Sequence, residues 1–186
     1  LLSTMVGREL FDDDTPISPT FDVGRSIWAS SFGARPHTSR HEGMKKGFHI
    51  DPVINDYEAE IDKLRGGGYG ANPKAEQERM ELADSVFGDI LPPRLVMHSL
   101  TGAITNPLVM LSGMENYYLA MYDAPDTLHE IMDMATRVYE DFYDYLEREG
   151  LLLPTVGISP VAQESYAFNS ELPADKATRT TDVWGF

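Results

Sequence analysis

Between Pro125 and Gly150 the residues Leu128, Ile131, Met132, Ala135, Val138, Phe142, Tyr145 and Leu146 recur at the spacing of one helix face. Pro125 suits a first helical position and Gly150 suits a stop. A helix running to Glu149 with so wide an apolar stripe must be covered by other elements. Asp133 with Arg137, and Asp144 with Arg148, stand four apart on its wet side, where such pairs contribute about 0.3 kcal/mol each.

Apolar runs flank this helix. Residues 94–98 (Arg94-Leu95-Val96-Met97-His98) and about 152–157 read as short buried strands, with helical pieces at about 106–111 and 115–122 between them. Strand, helices, strand predicts a parallel crossover. A further helix is expected from Pro73 to Phe87, capped by Asn72, stopped at Gly88, and burying Met80, Ala83 and Phe87. A short helix is expected over 56–65, and a further strand at 182–186. The residues before 50 read as a helix end over 1–11, an extended stretch interrupted by Pro16 and Pro19, and a hairpin or long loop over 24–47. Strands spaced by helices predict an α/β fold with parallel strands and covering helices.

Fifteen basic against thirty acidic residues give a formal charge of -15. Such a surface repels phosphates and anionic lipid, so neither nucleic acid nor a membrane is the expected partner. The chain has no cysteine, so thiolate catalysis and Cys-ligated zinc are excluded within it, and a reducing, cytoplasmic setting is expected. The opening Leu1-Leu2-Ser3-Thr4-Met5-Val6 and the closing Val183-Trp184-Gly185-Phe186 both read as cuts. Residues 1–186 are therefore expected to form a single partial domain.

Several groups of residues bear chemistry. His98 and Ser99 end a strand, and strand carboxyl ends build the active sites of parallel α/β folds. His98 is expected either to do acid–base work or to be a core histidine satisfied by a carbonyl. Gln163, Glu164 and Tyr166 follow the next strand, on the same rim, as substrate-binding candidates or an ordinary surface loop. Asp12, Asp13 and Asp14 end the first helix, and one carboxylate there is a candidate base. Arg25, Arg35, Arg40, Lys45 and Lys46 concentrate positive charge opposed only by Glu42, suiting an acidic ligand or a hydrated hairpin. His37 and His41 are spaced as metal ligands on a helix, but Gly33, Pro36 and Gly43 favour a loop. The run Gly66-Gly67-Gly68-Tyr69-Gly70 follows a helix, not a strand, which favours a flexible connector over a nucleotide-binding turn.

Asp89-Ile90-Leu91-Pro92, Gly113-Met114-Glu115-Asn116, Met121-Tyr122-Asp123-Ala124-Pro125, Glu147-Arg148-Glu149-Gly150-Leu151, Glu171-Leu172-Pro173 and Asp182-Val183-Trp184-Gly185-Phe186 together resemble the uroporphyrinogen decarboxylase-like superfamily. The resemblance is best from 85 onward. It implies a (β/α)8 TIM barrel, of which this chain supplies a central portion, and a small-molecule substrate. It also implies one of two chemistries: decarboxylation of uroporphyrinogen without a cofactor, or methyl transfer involving zinc, a corrinoid and a corrinoid protein. Superfamily members are often homodimers. The decarboxylase carries a tyrosine in the helix after the strand matching 94–98, and Asn106-Pro107-Leu108-Val109-Met110-Leu111 contains none. That departure shifts the expectation to a corrinoid-linked methyltransferase-type member. The family's catalytic aspartate matches Asp13 or Asp14 only by a loose alignment. The residues read on their own chemistry give His98 as catalytic and Ser99, Gln163, Glu164, Tyr166 and Arg25 as substrate-binding, and the resemblance adds Asp14 as catalytic. No cofactor is expected to be held by this chain alone. A non-catalytic fragment is the remaining alternative.

Overall fold

The computed structural model describes residues 2–12, 17–40, 43, 47–98, 100–102, 104–155 and 170–184. In chain order the elements are α1 (Leu2–Phe11), β1 (Phe21–Gly24), β2 (Ile27–Ser30), β3 (His37–Ser39), β4 (His49–Asp51), α2 (Tyr57–Glu60), a 3-10 turn (Ile61–Leu64), β5 (Gly68–Ala71), α3 (Pro73–Phe87), β6 (Pro93–Val96), α4 (Thr105–Ser112), α5 (Met114–Asp123) and α6 (Pro125–Arg148). The fold is mixed α/β. β1 pairs with β6 in parallel, while β2–β5 and β3–β4 are antiparallel. No barrel is closed among the described residues.

The chain divides into two compact units. The first comprises 1–26, 72–101 and 150–186. The second comprises 27–71 and 102–149.

The first unit is organised by β1, α3 and β6. α3 begins where its sequence predicts: the Asn72 side chain accepts from Ala75 N at 3.1 Å and Pro73 occupies the first turn. Gly88 does end it, in a right-handed conformation with no left-handed cap. The helix packs on both strands, burying Ala83 and stacking Phe87 on Phe21 with ring centroids 4.8 Å apart. The register sets Asp22 opposite Arg94. Two parallel bonds, Arg94 Nε to Asp22 Oδ1 at 3.0 Å and Nη2 to Oδ2 at 2.9 Å, then tie the strands together.

The crossover expected between 94–98 and 152–157 is not the one found. Residues 151–155 carry no strand, and 156–157 lie outside the described residues. The parallel connection present runs β1, α3, β6. The strand expected at 182–186 is likewise absent over 182–184: Thr180–Asp182 is a 3-10 turn, and Trp184 is fixed by its N–H on Thr155 Oγ1 and its carbonyl on Leu100 N.

The second unit contains a cluster of buried residues: Phe32, Ile54, Tyr57, Leu64, Leu108, Leu111, Tyr117, Ile131 and Ala135 among them. α6 spans Pro125–Arg148, and Gly150 follows in the left-handed region at φ 63°. All eight residues of its predicted stripe are buried or half-buried. The helix packs on β2 and β5 as well as on α2, α5 and the 3-10 turn, with Tyr69 of β5 against Phe142 and Tyr145. The two expected ion pairs on its wet side do not form; Arg148 turns instead to Glu149 at 3.1 Å. The glycine run expected to be a connector is strand in part. Gly68–Ala71 pairs with Ile27–Ser30, and the Trp28 indole lies 3.2 Å from where a Gly70 Cβ would stand, so the aromatic ring covers backbone that glycine leaves bare.

Candidate functional site

In the first unit, the carboxyl ends of β1 and β6 lie side by side. Arg25 N donates to Val96 O at 2.8 Å, continuing the ladder one residue past Gly24. The first turns of α3 then grip the segment after β1. Asn72 N donates to Ser26 O at 2.8 Å, and Ser26 N donates to Glu76 Oε2 at 3.1 Å. Arg79 Nη2 donates to Gly24 O at 2.8 Å and to Ser26 Oγ at 2.5 Å. Glu76 and Arg79 are three apart, so they share the helix face toward the strand end.

Arg25 is mostly buried here. Its Nε stands 3.3 Å from Glu76 Oε2, its Nη2 donates to Oε1 at 3.5 Å, and its Nη1 donates to Leu151 O at 2.5 Å. A buried guanidinium without a carboxylate would be strongly unfavourable, so Glu76 accounts for its presence. A substrate carboxylate reaching Arg25 would compete with Glu76. Arg79, by contrast, is exposed and makes no ion pair among the described residues.

His98 follows β6 by two residues and is exposed. Its Nε2 lies 4.0 Å from the position of a Cβ on Gly24. Among the described residues no group hydrogen-bonds its ring, which sets aside the alternative of a core histidine held by a carbonyl. The imidazole is thus open to solvent, beside a strand end whose carbonyl is held by Arg79. Such an arrangement can pass a proton at Nε2 and offer a cation to an anionic group.

Asp13, Asp14, Ser99, Gln163, Glu164 and Tyr166 lie outside the described residues, as do His41, Lys45 and Lys46. Asp12 does end α1, at φ 50°. The basic cluster expected over 25–46 is divided: Arg25 belongs to the first unit, Arg35 and Arg40 to the second. His37 sits on β3, not on a helix, and its Nδ1 lies 2.8 Å from Asp51 Oδ2.

Glu76 and Arg79 were not singled out from sequence. The available signal was a carboxylate and a guanidinium one turn apart, at the start of a well-capped helix that follows a strand. A cleft of about 410 Å³ runs from this site along β1 and α3, walled by Phe21, Val23, Leu82, Val86 and Phe87, with Arg79 at the Gly24 end. Its walls are apolar and its polar groups few, the character of a small-molecule site.

Among the described residues no group of three ligand-type side chains is arranged to hold a metal, and the chain has no cysteine. A thiolate-ligated zinc therefore does not fit this set of residues. No helix among the described residues is long and apolar enough to cross a membrane. No protein-family model, curated protein or solved structure matches the chain.

Proposed function

We propose that this chain is a central portion of a (β/α)8-barrel enzyme of the uroporphyrinogen decarboxylase-like superfamily. Its activity is methyl transfer of the corrinoid-linked type, on a small methylated compound or a methyl-corrinoid, in the cytoplasm. The observation that carries the reading is the parallel β1–α3–β6 unit with His98, Arg79 and the Arg25–Glu76 pair gathered at its strand carboxyl ends, where barrel enzymes place their chemistry. The motifs between 85 and 186 supply the superfamily.

In this reading the corrinoid, carried by a partner protein, supplies the methyl group. The residues of this chain bind and orient. His98 Nε2 accepts the proton released by the methyl acceptor, Arg79 holds an anionic group of the substrate, and Glu76 keeps Arg25 and Ser26 in place beneath them.

Decarboxylation of uroporphyrinogen is the second reading. Arg79 favours it, since a cation without a carboxylate partner among the described residues, beside a strand end, suits a substrate acetate. The missing tyrosine in 106–111 favours methyl transfer. A non-catalytic role is the third.

The protein made from its complete reading frame is incubated with methylcobalamin and a thiol, and separately with uroporphyrinogen. Loss of the methyl–cobalt absorbance with stoichiometric thioether formation is expected, and His98→Ala should slow it about 10²–10⁴-fold. Release of carbon dioxide from uroporphyrinogen instead would select the second reading. Neither reaction would leave the non-catalytic one.

A further inference from the structure

The cleft between β1 and α3 has a shape and a polarity that constrain what can lie in it. It encloses about 410 Å³, within the range of small-molecule sites. Its two ends differ. At one, Arg79 is fixed through Nη2, which donates to Gly24 O at 2.8 Å and to Ser26 Oγ at 2.5 Å. At the other stand the stacked rings of Phe21 and Phe87. Between the ends Leu82 and Val86, four apart on one helix face, remain 64% and 55% exposed. A single exposed leucine is ordinary, but these two beside Val23 make a continuous apolar wall.

Charge gives this wall a direction. Nη2 engages two of the guanidinium's five N–H donors, and Nε and Nη1 make no bond among the described residues. The other charged residue of the cleft, Asp22, is held by the two bonds from Arg94 and accepts from Thr20 Oγ1 at 2.9 Å. It is therefore committed elsewhere. The planar fork of Arg79 matches a carboxylate, while a formal charge of -15 on the chain disfavours a dianionic phosphate.

We propose that the cleft binds a carboxylate carrying an unbranched apolar chain, with the head group on Arg79 and the chain along Leu82 and Val86 toward Phe21 and Phe87. Arg79 and Phe87 are eight positions apart, so the wall runs about 12 Å along the helix axis. That span matches an extended chain of roughly eight to ten carbons. The proposal rests on the methyl-transfer reading only in making this ligand the substrate class; the binding itself rests on the cleft. An extended protein segment added to the free edge of β1 is the competing occupant, since β1 pairs only with β6 among the described residues. Phe21 N and Arg25 N face β6, so the intervening Gly24 O points to the free edge, where it already accepts from Arg79. A pairing strand would have to displace that bond, and a carboxylate on Nε or Nη1 would not.

The test is titration of the full chain with octanoate by calorimetry, beside acetate, octanol and octylamine. One saturable site is expected for octanoate, about 10²-fold tighter than acetate, with no saturable binding of octylamine. Arg79→Gln should weaken octanoate about 10–100-fold. Leu82→Asp, at an exposed position of the wall, should abolish its binding, and Leu119→Asp, equally exposed on α5, should leave it unchanged. Thermal melts of the variants check the fold; should Arg79→Gln melt early, Leu82→Asp and the four-ligand comparison on the wild-type chain decide. Absence of saturable octanoate binding, octylamine or octanol binding as tightly as octanoate, or an affinity that survives Leu82→Asp would each overturn the proposal. A protein strand already seated on β1 gives the first of these outcomes. Methyl transfer without octanoate binding overturns the proposal alone, whereas octanoate binding without methyl transfer keeps the site and removes that reaction from it.

Discussion

Tyr57 illustrates how single side chains hold the second unit together. Its hydroxyl donates to Ser112 Oγ at 2.6 Å, and Ser112 Oγ in turn reaches Leu108 O at 3.0 Å. Burial pushes the Tyr57 phenol above its ordinary range, although its bond to Ser112 acts in the opposite sense. Tyr57→Phe should cost about 1 kcal/mol, read as a lower denaturant midpoint with an unchanged slope. Glu60 behaves differently. Lys63, then the amides of Asn55 and Asp56, hold its carboxyl down to about 2 from an ordinary 4.5. Folding thus favours the ionised form. Its contribution is complete above about pH 4.5 and fades as the pH falls toward 2. Amide protection at Asn55 and Asp56 should decline over that window, and Glu60→Gln should remove the dependence; a pH-independent wild type would refute the assignment. Arg25 shows where residue-level reading stopped. It was recognisable as a cation in a turn, but the carboxylate that claims it lies 51 positions away, and no local pattern announces such a partner.

Helices were legible, and strands only in part. α3 and α6 carry their own boundaries in Asn72, Pro73, Pro125 and Gly150, and their stripes repeat often enough to identify the buried face. α4 and α5 needed only an extra residue or two at their ends. A strand of four residues has no such redundancy. β5 reads Gly-Tyr-Gly-Ala, the composition of a connector, and becomes a strand because Trp28 covers it from the partner strand. Gly67, just before it, shows how close that approach is: a Cβ there would stand 2.5 Å from Ser31 O and 2.8 Å from Ser30 O. Gly67→Ala should therefore disrupt the β2–β5 pair, and a normal melting temperature for that variant would count against this packing. On α6, Leu146 is completely buried. Leu146→Ala should cost about 2–5 kcal/mol, measured by chemical denaturation. The strand expected at 94–98 ends at Val96, two residues short of His98, and was legible because a strand end is a local property. The crossover was misassigned because pairing is not.

At the scale of the molecule, charge and topology dominate. A formal charge of -15 acts against compactness. Raising the salt from about 0.01 to 0.1 M shortens the screening length from about 30 to 10 Å, so the melting temperature should rise over that range. A fall would mean that the ion pairs, not the excess acid, control stability. The sign of the charge was plain in the sequence, whereas the division into two units was not, because each is assembled from segments separated by the other. The bonds between Asp22 and Arg94 join residues 72 positions apart. On a ribosome adding roughly 5–20 residues per second, β1 waits about 4–14 s for the strand that completes it. Throughout that interval its backbone is a bare template, and a neighbouring nascent chain or a chaperone has the first opportunity to occupy it.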